Sequence, residues 1–198
     1  MHPLAITKAR SRLIAARAAL WGLPACRDYN LFAAKWYLFL AAFKSVYTAL
    51  EQGAKTSPQS RQWFGVKRKQ RRSDPLLQYL YQARDDDEHG LNPVTERVPA
   101  RLSIGEGGPD NTLQFDVSGP AGLGGALQAT DGDGKPVPFE YAPAHAQLIR
   151  VHGRDKTNTY DPPEEHLGVK LASKLPAAVG ELAAAYLEEL ITEAETLA

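Results

Sequence analysis

Arg84, Asp85 and His89 are close enough in the chain to share one piece of chemistry. Imidazole gains and loses a proton near neutral pH, so His89 can act as acid or base. A guanidinium fork can hold two oxygens of an anion, so Arg84 suits a phosphate and the charge that develops on it. Asp85 precedes His89 by one helical turn, where a carboxylate can pair with the ring and orient it. On a helix Arg84 and His89 lie about 140° apart, so both can border one groove without touching. These types suit phosphodiester cleavage without a metal. A plainer arrangement uses the same residues: Arg84 pairs with Glu88 at i, i+4, and His89 meets the negative end of the helix dipole beside Gly90.

The element that carries them is readable from both ends. Asp74 can cap a helix, Pro75 suits its first position, and Gly90 is expected to end it in the left-handed conformation. Leu76, Leu77, Leu80, Tyr81 and Ala83 form an apolar stripe of helical period. Arg84 falls on that stripe, where a cation is costly unless it meets an anion or works in a cleft.

Further helices frame this one. A first is expected from Lys8 to Gly22, capped by Thr7 or Ser11. A second, from about Asp28 to Gly53, carries Phe32, Trp36, Phe39, Phe43 and Leu50 on one face. Leu31, Leu38 and Ala42 widen its apolar stripe, so it is expected to be buried on more than one side. Thr56-Ser57-Pro58 opens a shorter helical segment with Trp63, Phe64 and Val66. It leads into Lys67, Arg68, Lys69, Gln70, Arg71 and Arg72. Five cations in so short a run read either as an exposed, partly flexible loop or as a phosphate-binding patch with Trp63 and Phe64 available for stacking. A last helix spans about Pro176 to Leu197, with Val179, Leu182, Tyr186, Leu187, Leu190 and Ile191 inward and five glutamates outward.

Between the helices the composition turns to glycine, proline and short β-like runs: Arg97–Ile104, Thr112–Ser118, Ala126–Thr130, Pro136–Tyr141 and Gln147–Val151. Turns are expected at 105–111 and 131–134. The glycine-rich run 119–125 has neither dinucleotide nor P-loop spacing. Asp131-Gly132-Asp133-Gly134-Lys135-Pro136 fails as a calcium loop, because Lys135 and Pro136 occupy a ligand position and the required glycine position. His145, His152 and His166 lack metal-pair spacing, so no metal site and no cofactor are expected. The expected fold class is α+β: a helical part at 1–90, a β-rich insertion at 91–163 with a small antiparallel sheet, and a C-terminal helix at 164–198 packing on the bundle.

The net charge of zero is unevenly distributed. Residues 1–72 hold 14 Lys and Arg against 2 acids, and the remainder reverses the balance, with 9 against 21. Such a split fits a basic surface for polyanions, or two halves that neutralise each other inside one fold. The acidic last helix could dock on the basic half or serve a dimer interface. Cys26 is the one cysteine, so no disulfide forms within the chain. No run approaches the roughly 20 apolar residues of a membrane span. The expectation is a soluble, cytoplasmic protein with no membrane partner.

Arginine, a polar residue, three more and then histidine near a helix end, after an Asp-Pro-Leu-Leu lead-in and a long aromatic helix, resembles the R-x4-6-H motif of HEPN domains. The likeness covers roughly the first 90 residues, plus the last helix. It implies a HEPN-like helical bundle and an RNA-directed protein, with metal-independent endoribonuclease activity of a toxin or defence kind. Two motif copies would meet across a two-fold homodimer cleft and leave a 2′,3′-cyclic phosphate. Arg84, Asp85 and His89 would be the catalytic residues. Trp63, Lys67, Arg68, Lys69, Arg71 and Arg72 are the expected RNA-binding residues, and an antitoxin is the kind of protein partner implied. Asp86 and Asp87 depart from that pattern, since three successive acids repel a phosphate. The competing reading is a non-catalytic protein-binding or structural homodimer.

Overall fold

The computed structural model describes residues 1–104, 114–118, 126–130, 133–154 and 156–198. The expected turn at 105–111, Thr112 and Leu113, the glycine-rich run 119–125 and the start of the 131–134 turn lie outside the described residues.

Four helices come first: α1 (Pro3–Leu20), α2 (Tyr29–Ala54), α3 (Pro58–Ser73) and α4 (Pro75–His89). Their starts follow local chemistry. Asp28 accepts from the amides of Asn30 and Leu31, Ser57 from Ser60, and Asp74 from Leu77. The first helix starts earlier than its sequence suggests. His2 caps it, and Pro3 takes the first position, where its missing N–H is not needed.

Ten short strands follow among the described residues: β1 (Thr95–Val98), β2 (Arg101–Ile104), β3 (Gln114–Ser118), β4 (Ala126–Thr130), β5 (Phe139–Ala142), β6 (His145–Leu148), β7 (Val151–His152), β8 (Thr159–Tyr160), β9 (Glu165–His166) and β10 (Val169–Lys170). The last element is α5 (Pro176–Glu195). Among the described residues the strands form two-stranded ladders rather than one small sheet: β1 with β6, β2 with β5, β3 with β4, β7 with β8, and β9 with β10. The β2–β5 and β3–β4 pairs are antiparallel and nested, with Arg101 opposite Ala142 and Gln114 opposite Thr130. The long strand read at Arg97–Ile104 is cut at Pro99, which cannot donate to a ladder.

The chain forms two compact units. One comprises Met1–Arg97 with Ala146–Ala198, and the other is Val98–His145. Residues 146–163, read from sequence as part of the β-rich insertion, thus belong to the helical unit.

In the helical unit α2 is central. Phe32, Trp36, Phe39, Phe43, Val46 and Leu50 are buried, and Trp36 stacks on Phe39 with ring centres 5.0 Å apart. Ala9, Leu13 and Leu20 of α1, Leu76, Leu77 and Leu80 of α4, and Val179, Leu187 and Ile191 of α5 complete the core. Each large side chain withdrawn from water stabilises the fold by about 1.5–3 kcal/mol. Two apolar assignments fail. Leu31 and Leu38 are 52% and 57% exposed, so α2 is not buried on that side. Leu182 points outward, and Ala183 and Ala184 fill its place in the core.

The basic run is not a loop. Helix α3 continues through it to Ser73, because 3.6-residue spacing distributes the cations around the helix. Arg71 and Arg72 also fall in its last turn, where the dipole favours positive charge. Gly90 ends α4 with φ −96°, not in the left-handed region. Glycine is needed there for space: a Cβ would lie 2.4 Å from the Asp86 carbonyl oxygen.

Candidate functional site

Helix α4 carries Arg84, Asp85 and His89; Arg84 and Asp85 pair, but neither holds His89. The Arg84 side chain is 21% exposed. Its Nη1 lies 3.2 Å from Asp85 Oδ1 and its Nη2 3.3 Å from Glu88 Oε2. Its Nε is buried without a hydrogen-bond partner among the described residues. Asp85 is buried and also binds Lys44 of α2. Tyr37 donates to Glu88 Oε2 at 3.1 Å, and that carboxylate raises the tyrosine's pKa through the hydrogen bond and its charge. Two cations and two carboxylates therefore balance within α2 and α4. His89 is exposed, and no hydrogen bond or ion pair holds it among the described residues. The expected Asp85–His89 pair is absent because the nearer, less exposed Lys44 takes the carboxylate.

The other two acids of the triplet differ in role. Asp86 is buried, accepts the His152 amide at 2.7 Å through Oδ2, and so fastens β7 to α4. Asp87 has a raised pKa, first from burial and then from the charges of Glu88 and Asp86.

The basic run separates into two sets. Lys67 pairs with Glu193 of α5, 2.6 Å from its Oε2, and the Trp63 indole donates to the same carboxylate at 3.2 Å. Burial works to raise the Glu193 pKa, but the Lys67 and Trp63 hydrogen bonds outweigh it and the pKa is lowered. Arg71 is buried between two rings, 3.6 Å from the centre of Tyr81 and 5.1 Å from that of Tyr47. Lys44 approaches the Tyr81 ring as well, at 4.7 Å. Lys67, Arg71 and Trp63 are thus used in packing. Arg68, 3.7 Å from Glu51, and the exposed Lys69 and Arg72 remain at the surface. The two halves of the chain neutralise each other, since Arg10 pairs with Glu188 and Glu195 and Arg17 with Glu188. The acidic helix docks on the basic half.

Two features escaped the sequence. His166, in the β9–β10 hairpin, places Nδ1 3.0 Å from Asp74 Oδ1, and Leu167 donates its amide to Oδ2 at 2.6 Å. Leu167 has φ 50° and Gly168 φ 78°, a tight turn in which a leucine adopts an unfavourable conformation. The hairpin is secured by the same carboxylate that caps α4. No spacing rule links residues so far apart in the chain.

The second feature is the outer seam between α1 and α2. A groove of about 410 Å³ is lined by His2, the cap of α1, by Leu4, Lys8 and Arg12 from α1 and by Ser45, Thr48 and Gln52 from α2. Beyond the groove, toward the end of α1 and the start of α2, come Trp21, 82% exposed, and the outward Leu31 and Leu38. The surplus of apolar positions on α2, too many for one buried face, was the available signal.

Among the described residues no three His, Cys, Asp or Glu side chains converge as metal ligands, and no helix is long and apolar enough to cross a membrane. Comparison with protein-family models, with curated proteins and with solved structures gives no match.

Proposed function

We propose that this chain is a non-catalytic protein-binding module. One observation carries the reading: the guanidinium of the Arg84–His89 motif is neutralised inside its own helix by Asp85 and Glu88. An arginine that stabilises a phosphorane must turn its fork toward the substrate. Here the fork is occupied, and Asp85 serves Lys44 instead of orienting His89. Lys67, Arg71 and Trp63, which an RNA groove would use, brace α3 against α2, α4 and α5.

The HEPN-like ribonuclease is the second reading. Exposed His89, with Lys69 and Arg72 at the surface, favours it. A cleavage assay on mixed single-stranded RNA in EDTA separates the two, with wild type beside Arg84→Ala and His89→Ala. The binding-module reading expects no cleavage from any of the three. Wild-type cleavage abolished by both substitutions would overturn it in favour of the ribonuclease.

A further inference from the structure

We infer that the outer seam of the α1–α2 hairpin receives an acidic amphipathic helix from a partner protein. The inference deepens the binding-module reading and rests on it.

The seam is built by close approach. At Gly53 an added Cβ would lie 2.3 Å from the Ala5 Cβ, so small residues let the two helices press together and leave a shallow channel outside them. At one end the channel carries Lys8, Arg12 and His2. Lys8 and Arg12 make no ion pair among the described residues, whereas Arg10 and Arg17, on the other flank of α1, are spent on α5. The acids of residues 1–72 are elsewhere: Asp28 caps α2 and Glu51 faces Arg68. Helical periodicity carries the seam on past Ala15 and Ala41 to Leu38, Lys35 and Leu31. There Lys35 Nζ donates to the Trp21 carbonyl at 2.7 Å and brings the exposed Trp21 beside them.

The surface therefore carries Lys8 and Arg12 beside the exposed Leu4 toward one end and is chiefly apolar at the other, along about 28 Å, or five turns of helix. Its backbone amides and carbonyls are satisfied within α1 and α2, so there is no open edge for a strand to extend. Recognition has to come from side chains, which is how a helix binds a groove. A second copy of the chain is a poor occupant. Parallel seams would oppose Lys8 and Arg12 to themselves, and antiparallel seams would press them on the apolar end without an anion. The complement is a helix with carboxylates at one end of its contact face and large apolar residues at the other.

The test uses the whole chain and a fluorescein-labelled synthetic amphipathic peptide of about 18 residues. Its contact face has leucines over one half and glutamates over the other. A twin peptide has lysine for every glutamate. Fluorescence anisotropy should show that wild type binds the acidic peptide and not the basic twin. Lys8→Glu with Arg12→Glu should weaken the acidic peptide by roughly tenfold or more and gain the basic twin. Leu38→Asp should weaken both pairings. Far-UV circular dichroism confirms that each variant is folded, and the gain by the basic twin cannot arise from unfolding. Equal binding of both peptides, no binding, or binding indifferent to the charge reversal would overturn the inference. So would tighter binding of polyuridylate or of phosphatidylserine vesicles through the same two cations. Peptide failure without RNA cleavage removes this partner chemistry alone. RNA cleavage abolished by His89→Ala removes the reading on which it rests.

Discussion

The guanidinium of Arg71 lies 3.6 Å from the centre of the Tyr81 ring. Arg71 is only 8% exposed, with Tyr47 on a second side. A desolvated cation over an aromatic face is stabilising by about 2 kcal/mol, and the alkyl stem adds packing. Arg71→Ala and Tyr81→Leu should each lower the urea midpoint. Their double-mutant cycle should give a coupling of about 1–2 kcal/mol. Zero coupling would mean that the rings merely adjoin. Arg72→Ala, at an exposed position, should change stability by less than about 0.5 kcal/mol.

The Lys44–Asp85 pair predicts a larger effect. The side chains are 23% and 10% exposed, and Asp85 also receives Arg84. Removing one member of a largely buried pair strands the other in a poorly solvated place, at a cost of about 3 kcal/mol. Asp85→Ala should therefore destabilise by that amount in urea, because it strands Lys44, whereas Arg84 keeps Glu88. Lys44→Met with Asp85→Leu should recover part of the loss, since an apolar pair has nothing to desolvate. If Asp85→Ala proves neutral, the carboxylate is not holding α4 to α2.

These residues mark what the sequence could and could not reveal. The caps at Asp28 and Asp74 were legible because a cap depends on its own next three residues. The α2 core line was legible because Phe32, Trp36, Phe39 and Phe43 follow one helical face. The fate of Arg71 was not, because charge runs are read as solvated and its tyrosine partners come from two other helices. Nor was that of Asp85. His89 is four residues away and Lys44 is 41, and burial, which has no local signature, decided between them. The Arg84–Glu88 pair was legible as the plainer of two arrangements, since a helix brings side chains at i and i+4 to one face.

Asp74 contributes to the pH dependence of stability. Burial, the largest single influence, pushes its pKa up. The hydrogen bonds from His166, Leu167 and Leu77 together outweigh that, and the pKa is lowered. A carboxylate with a lowered folded-state pKa binds fewer protons folded than unfolded. Its stabilisation is complete above the unfolded value of about 3.9 and disappears as pH falls through the lower folded value. Asn in its place keeps a cap for Leu77 but loses the charge that faces His166 and the Leu167 amide. Asp74→Asn should therefore be less stable than wild type at neutral pH. Urea titrations at a series of pH values should show the gap narrowing below about pH 4. The narrowing isolates the charge, because a loss of shape or packing would leave a gap independent of pH. A gap that stays constant through the acid range would show that the carboxylate acts on α4 and the β9–β10 hairpin by geometry alone.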